Sequence, residues 1–119
     1  MKFSDRVEIG FHLNRFDNVH DMVSAIEGLD ISGGDTNIAW ALRVARNQMF
    51  ASRNGARLGT IPRLLILITD GAATAEGWAT LLEANTTKEA GILIFTVGIG
   101  NEIDERQLKV YLLHLILEL

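Results

Sequence analysis

Several absences limit what this chain can be, beginning with cysteine, which occurs nowhere in the 119 residues. Without a thiol there is no disulfide framework, no thiolate metal site and no cysteine nucleophile. Proline occurs once and 48% of the residues are hydrophobic, which together exclude disordered and collagen-like chains. Eleven basic residues against fifteen acidic ones give a net charge of −4, so we expect no nucleic-acid partner.

Targeting and enzyme motifs are also missing. The most apolar stretch, residues 110–119, is too short to cross a bilayer, and residues 1–15 lack the apolar segment of a signal peptide. Neither a P-loop nor a Gly-x-Ser-x-Gly nucleophile motif occurs, and the histidines lack metal-ligand spacing. Gly98-x-Gly100 follows an apolar run but lacks the rest of a dinucleotide-binding fingerprint. We therefore expect no enzymatic activity.

The periodicity of the first half predicts one strand and two helices. Residues 6–14 alternate apolar and polar, which is typical of a half-buried strand at a sheet edge. Residues 18–29 follow a helical period, with Asn18 as the predicted N-cap. After a glycine turn, a second helical stripe consists of Ile38, Leu42, Ala45 and Met49, and its polar face carries Arg43 and Arg46, which we expect to be solvated.

Two continuous apolar runs, at residues 64–68 and 92–97, dominate the second half. Runs of this kind are typical of parallel strands that are covered on both faces. The pattern predicts a helix over residues 75–90 that ends at Gly91, and another over residues 104–117. Strands that alternate with helices, in a chain of single-domain length, predict one layered α/β domain.

Thr36 and Asp70 are the candidate site residues. Asp70 follows the first apolar run, and Thr36 opens a helix that could face the same carboxyl edge of the sheet, where ligands bind in such folds. A hydroxyl and a carboxylate are hard oxygen ligands that suit Mg²⁺ or Ca²⁺. The alternative is structural: Thr36 caps the helix and Asp70 forms a turn. Position alone favours the structural interpretation.

A family resemblance rests on six segments taken together. They are Phe3-Ser4-Asp5, Val7-Glu8-Ile9, Leu13-Asn14, Gly33-Gly34-Asp35-Thr36-Asn37, Leu65 to Gly71, and Ala90 to Gly100. In their order and spacing, over about residues 3–110, they resemble a von Willebrand factor type A (vWA) domain. Within that family, these segments are most similar to those of extracellular-matrix members, such as the A domains of matrilins and matrix collagens.

The resemblance implies a Rossmann-like, doubly wound and mostly parallel α/β sheet with one antiparallel edge strand, for which residues 6–14 qualify. It also implies an extracellular, non-enzymatic adhesion module. In that family a metal ion (Mg²⁺, Ca²⁺ or Mn²⁺) at the top of the sheet accepts an acidic side chain from a protein partner, such as collagen or another matrix protein. Thr36 and Asp70 match two of the three pieces of this metal-ion-dependent adhesion site (MIDAS), which favours them as metal positions.

The third piece of the site, an Asp-x-Ser-x-Ser segment after the first strand, is absent. Residues 30–34 are a near match but belong to a turn, and Ser4-Asp5 match the end of the family's second strand. Without these ligands a Mg²⁺ shell of six oxygens is incomplete, so affinity should be poor. We expect residues 1–119 to form a single, partial domain that lacks its first βαβ portion and binds divalent metal weakly or not at all.

The C-terminal segment departs from the family as well. Residues 111–119 stay apolar to the end, which indicates either a longer helix or an altered splice or gene-model end.

Two other functions remain open. One is a metal-free structural fragment that mediates assembly through packing, and the other is an intracellular vWA subunit of an enzyme complex.

Overall fold

The computed structural model describes residues 1–30 and 33–100, and the helix predicted over residues 104–117 lies outside them. No helix within these ranges is long and apolar enough to span a membrane. In chain order the elements are β1 (Lys2–Phe3), β2 (Val7–Glu8), α1 (Val19–Glu27), α2 (Ile38–Val44), a π-helical turn (Ala45–Met49), a 3-10 turn (Ser52–Asn54), β3 (Arg63–Thr69), α3 (Gly77–Glu89) and β4 (Ile92–Gly98).

The strands of the described residues form two separate two-stranded sheets. β1 and β2 pair antiparallel, whereas β3 and β4 pair parallel, with Arg63 opposite Ile92 and Thr69 opposite Gly98. Helix α3 is the crossover between the two parallel strands, as a parallel connection requires. The predicted α/β, Rossmann-like class is confirmed, but within the described residues the antiparallel strands form a sheet of their own instead of one edge strand of the parallel sheet.

The strand predicted over residues 6–14 is wrong beyond its start, because only β2 forms a ladder. A tight turn joins β1 to β2, in which the Ser4 N–H donates to the Arg6 carbonyl at 2.8 Å. Residues 9–14 pair with no strand in the described ranges, and Leu13 is 53% exposed. An alternation of apolar and polar residues indicates only which side chains share a face. A strand also needs a neighbouring strand for its backbone hydrogen bonds, and β1 pairs with only two residues of this segment.

Helix α1 is found where the sequence predicts it, with Asn18 as its N-cap. The Asn18 side-chain oxygen accepts the Asp21 N–H at 2.9 Å. The apolar stripe of the helix lies at the surface, since Val19, Val23 and Ile26 are 72%, 43% and 51% exposed. Within the described residues, α1 therefore contributes nothing to the core.

Helix α2 builds the core from the predicted stripe, in which Ile38, Leu42 and Ala45 are all buried. Their spacing places them on one face of the helix, which packs against β3, β4 and α3. The central cluster consists of Ile38, Leu42, Leu67, Ala84 and Ile94. The helix continues into the π-helical turn, which carries the predicted stripe on to a half-buried Met49.

The prediction that the two apolar runs are covered on both faces is wrong for the described residues. Leu64, Ile66 and Ile68 are 54%, 65% and 57% exposed, and their neighbour Leu93 is 42% exposed. The helices that pack on the parallel sheet, α2 and α3, both meet the opposite face, where Leu67 is buried. One face of the parallel pair is therefore open in this part of the chain.

Arg43 is exposed as the sequence predicts, but Arg46 is largely buried, and both arginines form ion pairs. The Arg43 Nε and the Arg46 Nη2 each donate to a different oxygen of the Glu83 carboxylate on α3, both at 2.8 Å. Burial raises the pKa of Glu83, but the hydrogen bonds and charges of the two guanidinium groups outweigh it and lower the pKa below its usual value. This three-residue group joins α2 and its π-helical turn to α3.

Two glycines occupy backbone conformations that suit only glycine. Gly91 follows α3 with a φ of +77°, the C′ position predicted for it. Gly55 has a φ of +95°, and a Cβ there would lie 2.6 Å from the Asn14 backbone nitrogen. The loop before β3 thus packs backbone to backbone against the segment that follows β2.

Candidate functional site

The carboxyl ends of β1 and β3 meet at the start of helix α2. The carbonyl of Ser4, which follows β1, accepts the Asn37 N–H at 2.9 Å. The loop after β3 reaches the preceding residue, where the Thr36 carbonyl accepts the Thr74 N–H at 3.1 Å. This junction is at the carboxyl edge of the parallel strands, where α/β folds bind their ligands.

Thr36 is half-buried at this junction, and its hydroxyl does not cap the helix. The N-cap is Asn37, whose side-chain oxygen accepts the Trp40 N–H at 2.9 Å. The backbone of Thr36 is fixed, because its N–H donates to the Thr74 hydroxyl at 2.8 Å. The structural interpretation of Thr36 as a helix cap is therefore wrong, and its hydroxyl has no hydrogen-bond partner among the described residues.

Asp70 lies exposed directly after β3, and its carboxylate does not hold the turn. The preceding Thr69 does so, because its hydroxyl donates to the Gly71 carbonyl at 2.9 Å and accepts the Gly71 N–H at 3.3 Å. Within residues 1–30 and 33–100 the Asp70 carboxylate makes no hydrogen bond or ion pair. Its oxygens are available for an external ligand.

Gly71 brings the two predicted positions to one place. A Cβ at Gly71 would lie 4.0 Å from the Thr36 hydroxyl oxygen, with no nearer atom. The residue after Asp70 therefore lies close to the Thr36 hydroxyl, with room for about one side-chain carbon between them. The structure therefore brings the Asp70 turn and Thr36 together at the strand ends, as the sequence predicts.

Three further oxygen-bearing side chains that sequence reasoning did not assign line the same edge. The Asp5 carboxylate accepts the Ser4 hydroxyl at 3.0 Å, and a Cβ at Gly34 would lie 3.1 Å from it. The Asp35 carboxylate lies 3.4 Å from the Thr74 hydroxyl that donates to it. The position of Asp5 directly after a strand was a usable signal, whereas nothing local to Thr74 distinguishes it from any other loop threonine.

The donor set is of the right chemistry for a divalent cation but is incomplete. Carboxylate and hydroxyl oxygens suit Mg²⁺ or Ca²⁺, which take six or more ligands. In the described part of the chain, no three histidine or acidic side chains converge as a metal site requires. Two residues of the near match at residues 30–34, Ile31 and Ser32, lie outside the described residues. The residues present therefore fit such an ion only in part.

A family model described as "von Willebrand factor type A domain" matches residues 1–111. The collagen alpha-5(VI) chain of Homo sapiens is 34% identical over 103 residues, covering 84% of this chain and 4% of that protein. Von Willebrand factor A domain-containing protein 1 of Rattus norvegicus is 42% identical over 67 residues, covering 56% of this chain and 15% of that protein. The chain thus spans a small part of the relatives that it matches.

A solved structure of proximal thread matrix protein 1 from the mussel byssus, described as having a zinc-occupied MIDAS motif, has a similar fold. Its TM-score is 0.86 at 27% identity, over 98% of this chain and 30% of the mussel chain. The two proteins therefore share a fold.

Proposed function

Since the chain belongs to the von Willebrand factor type A family, we propose that it is a non-enzymatic protein-binding module of an extracellular-matrix protein. Its similarity to a collagen VI chain and to a byssal matrix protein supports this assignment. The observation that points to a particular binding surface is the geometry of the junction of β1, β3 and α2. There, a hydroxyl and a carboxylate without partners in the described residues face the carboxyl edge of the sheet.

We propose Thr36 and Asp70 as metal positions of an incomplete MIDAS. Hydrogen bonds to Thr74 fix the backbone of Thr36, its hydroxyl has no partner among the described residues, and Asp70 is exposed at the same strand ends. Two protein oxygens leave most of a Mg²⁺ shell to water, so a cation binds weakly there. The zinc in the MIDAS of the mussel protein supports divalent metal at this edge of the fold, with Mg²⁺, Ca²⁺ or Mn²⁺ as candidates here.

The proposed ligand is a protein that presents an acidic side chain, such as collagen or another matrix protein. A cation with open coordination positions accepts a carboxylate, and the exposure of Asp70 leaves room for one to approach. We also propose that residues 1–119 form one partial domain. In support, one face of the parallel sheet is open among the described residues, whereas parallel sheets of this class are covered on both faces.

One observation favours a second function, assembly through packing without metal. Leu64, Ile66 and Ile68 form an exposed apolar row on β3, which is a surface suited to protein contact. A module that used this row would bind its partner equally well in the absence of divalent cations.

The two functions are separated by measuring how the 119-residue chain binds immobilised matrix proteins, collagen among them, with Mg²⁺ and with a chelator. We expect binding to fall with the chelator and in Asp70→Asn and Thr36→Ala. The matched controls Asp17→Asn and Thr60→Ala change exposed residues away from the junction and should bind as the unmodified chain. Binding that survives both the chelator and the site variants would contradict the metal-dependent function and support assembly.

A further inference from the structure

An apolar groove of about 280 Å³ separates the two sheets. Met1 and Phe3 line one side, β3 lines the other, and α2 with the π-helical turn contributes the floor through Leu42 and Ala45. The groove does not overlap the Thr36–Asp70 junction, since neither residue lines it. It is therefore a feature separate from the proposed metal site.

The shape of the groove follows the edge of a strand. Its lining includes all five consecutive residues from Leu64 to Ile68. Successive side chains of a strand point to opposite faces, so a space that contacts all five runs along the strand's edge and not over one face. Among the described residues β3 pairs only with β4, which leaves the backbone N–H and C=O groups of this edge without strand partners.

The carboxyl ends of both strands beside the groove meet at one place. β1 and β3 each end at the Thr36–Asn37 junction, through the Ser4 carbonyl and the loop after Asp70. β1, too, has one ladder partner, β2, in the described residues. A strand inserted parallel to β3 would lie parallel to β1 as well and would end at the same edge.

The two ends of the groove carry opposite charge. A second cavity opens beside the start of β3, shares Leu13, Phe50 and Leu64 with the groove, and is lined by Arg57 and Arg63. Neither arginine forms an ion pair with a described residue. Beyond the other end, the acidic residues Asp5 and Asp70 follow the lining residues Phe3 and Ile68 by two positions in the chain. A parallel strand therefore finds complementary charges if its first residue is acidic and its last is basic.

We propose that this groove is an acceptor site for a β-strand supplied by a separate polypeptide. The bound segment is extended, parallel to β3 and about seven residues long, like β3 itself. Its side chains are apolar on both faces, since one face meets Leu42 and Ala45 and the other extends the exposed row of Leu64, Ile66 and Ile68. An acidic residue precedes the apolar residues and a basic residue follows them. The main chain supplies affinity by completing the ladder of β3.

The test uses a fluorescent peptide, Glu-Val-Ile-Val-Ile-Val-Lys, flanked by Gly-Ser for solubility, and the 119-residue chain in fluorescence anisotropy. We expect saturable binding that is unchanged by a chelator, which separates this site from the proposed metal-dependent function. A peptide N-methylated at alternate residues loses the donors of one edge and should bind about tenfold more weakly or worse. The peptide with its two charges exchanged should bind about threefold more weakly.

A matched pair of protein variants tests the location. Ile66 lines the groove and Leu93, on the same exposed sheet face, does not. Ile66→Lys should weaken binding about tenfold, whereas Leu93→Lys should leave it within about twofold. Both side chains are exposed, and circular dichroism checks that both variants fold.

Three outcomes would overturn the proposal. The first is equal binding of the N-methylated and unmethylated peptides, and the second is equal weakening by the two lysine variants. The third is a dimer of the chain, in sedimentation, that Ile66→Lys converts to a monomer while the peptide fails to compete. In that case the occupant of the groove is a second copy of the chain.

Discussion

Glu83 forms ion pairs with Arg43 and Arg46 that join α2 and the π-helical turn to α3, and the cost of removing its charge can be predicted. Glu83→Gln keeps the volume of the side chain and removes its charge. The glutamine retains one oxygen and places an amide donor against a guanidinium group. Because the Arg46 side chain is 16% exposed, it stays largely buried with a charge that no longer has a counter-charge.

The expected loss of stability in Glu83→Gln follows from how deeply Glu83 and its two arginine partners are buried. Removing one member of a buried ion pair costs about 3–5 kcal/mol, whereas an exposed pair contributes about 0–1 kcal/mol. The Glu83 side chain is 11% exposed and that of Arg43 is 46% exposed, so one of the two pairs is buried and the other is half-exposed. We therefore expect Glu83→Gln to lower the free energy of unfolding by about 3 kcal/mol, near the low end of the buried range. Arg43→Ala should cost about 0.5–1 kcal/mol.

The assay is urea unfolding of the 119-residue chain, followed by circular dichroism. Glu89→Gln, in the exposed last turn of the same helix, is the matched control and should lie within about 0.5 kcal/mol of the unmodified chain. The reasoning is refuted if Glu83→Gln is as stable as Glu89→Gln. It is also refuted if Arg43→Ala costs more than Arg46→Ala, because that order would reverse the dependence on burial.

Three further predictions concern pH, the core and a glycine. Because the folded-state pKa of Glu83 is lowered, its stabilisation is present above the unfolded pKa and is lost as the pH falls through the folded pKa. Unfolding curves below pH 4.5 should therefore converge for the unmodified chain and Glu83→Gln. Leu42→Ala should lower the free energy of unfolding, measured in urea, by about 2–5 kcal/mol. Leu82→Ala, at a site that is 61% exposed, should lower it by less than about 1 kcal/mol, and equal losses would contradict the assigned core. Gly55→Ala and Gly59→Ala both place an alanine at a positive φ, but only at Gly55 does the new Cβ lie within 3.0 Å of other backbone atoms. Gly55→Ala should therefore lower the thermal midpoint of unfolding more than Gly59→Ala does, and the reverse order would contradict this packing.

Local patterns in the sequence were sufficient to predict helix α2, strands β3 and β4 and the caps. The stripe of Ile38, Leu42 and Ala45 is buried as predicted, since a helical period alone decides which side chains share a face. The N-cap Asn18 and the C′ residue Gly91 also follow from short-range backbone chemistry. These features need no knowledge of distant residues.

Three predictions that depend on distant residues were wrong, at least in part. Covering both faces of β3 requires elements on each side, and the described residues supply them on one. Arg46 pairs with Glu83, 37 residues further along the chain, so its burial cannot be read from its own helix. The strand over residues 6–14 had the right alternation but lacked a partner of matching length.

The residues of the candidate site also differ in whether a local sequence pattern could predict them. The positions of Thr36 and Asp70 at this edge could be predicted because Thr36 directly precedes a recognisable helix start and Asp70 directly follows a recognisable strand. Thr74, which fixes Thr36 through both of its backbone groups, could not be identified. Its role comes from the path of the loop after β3, which the sequence does not encode as a local pattern.

The most direct test of the proposed site is an NMR titration of the ¹⁵N-labelled chain with Mn²⁺, whose paramagnetism broadens nearby amide signals. The account predicts that the amides of Thr36, Asp70 and Gly71 broaden first, that saturation requires millimolar ion, and that Asp70→Asn removes the effect while Asp17→Asn does not. Broadening centred elsewhere, or unaffected by Asp70→Asn, would contradict the site. Saturation at micromolar Mn²⁺ would contradict its incompleteness.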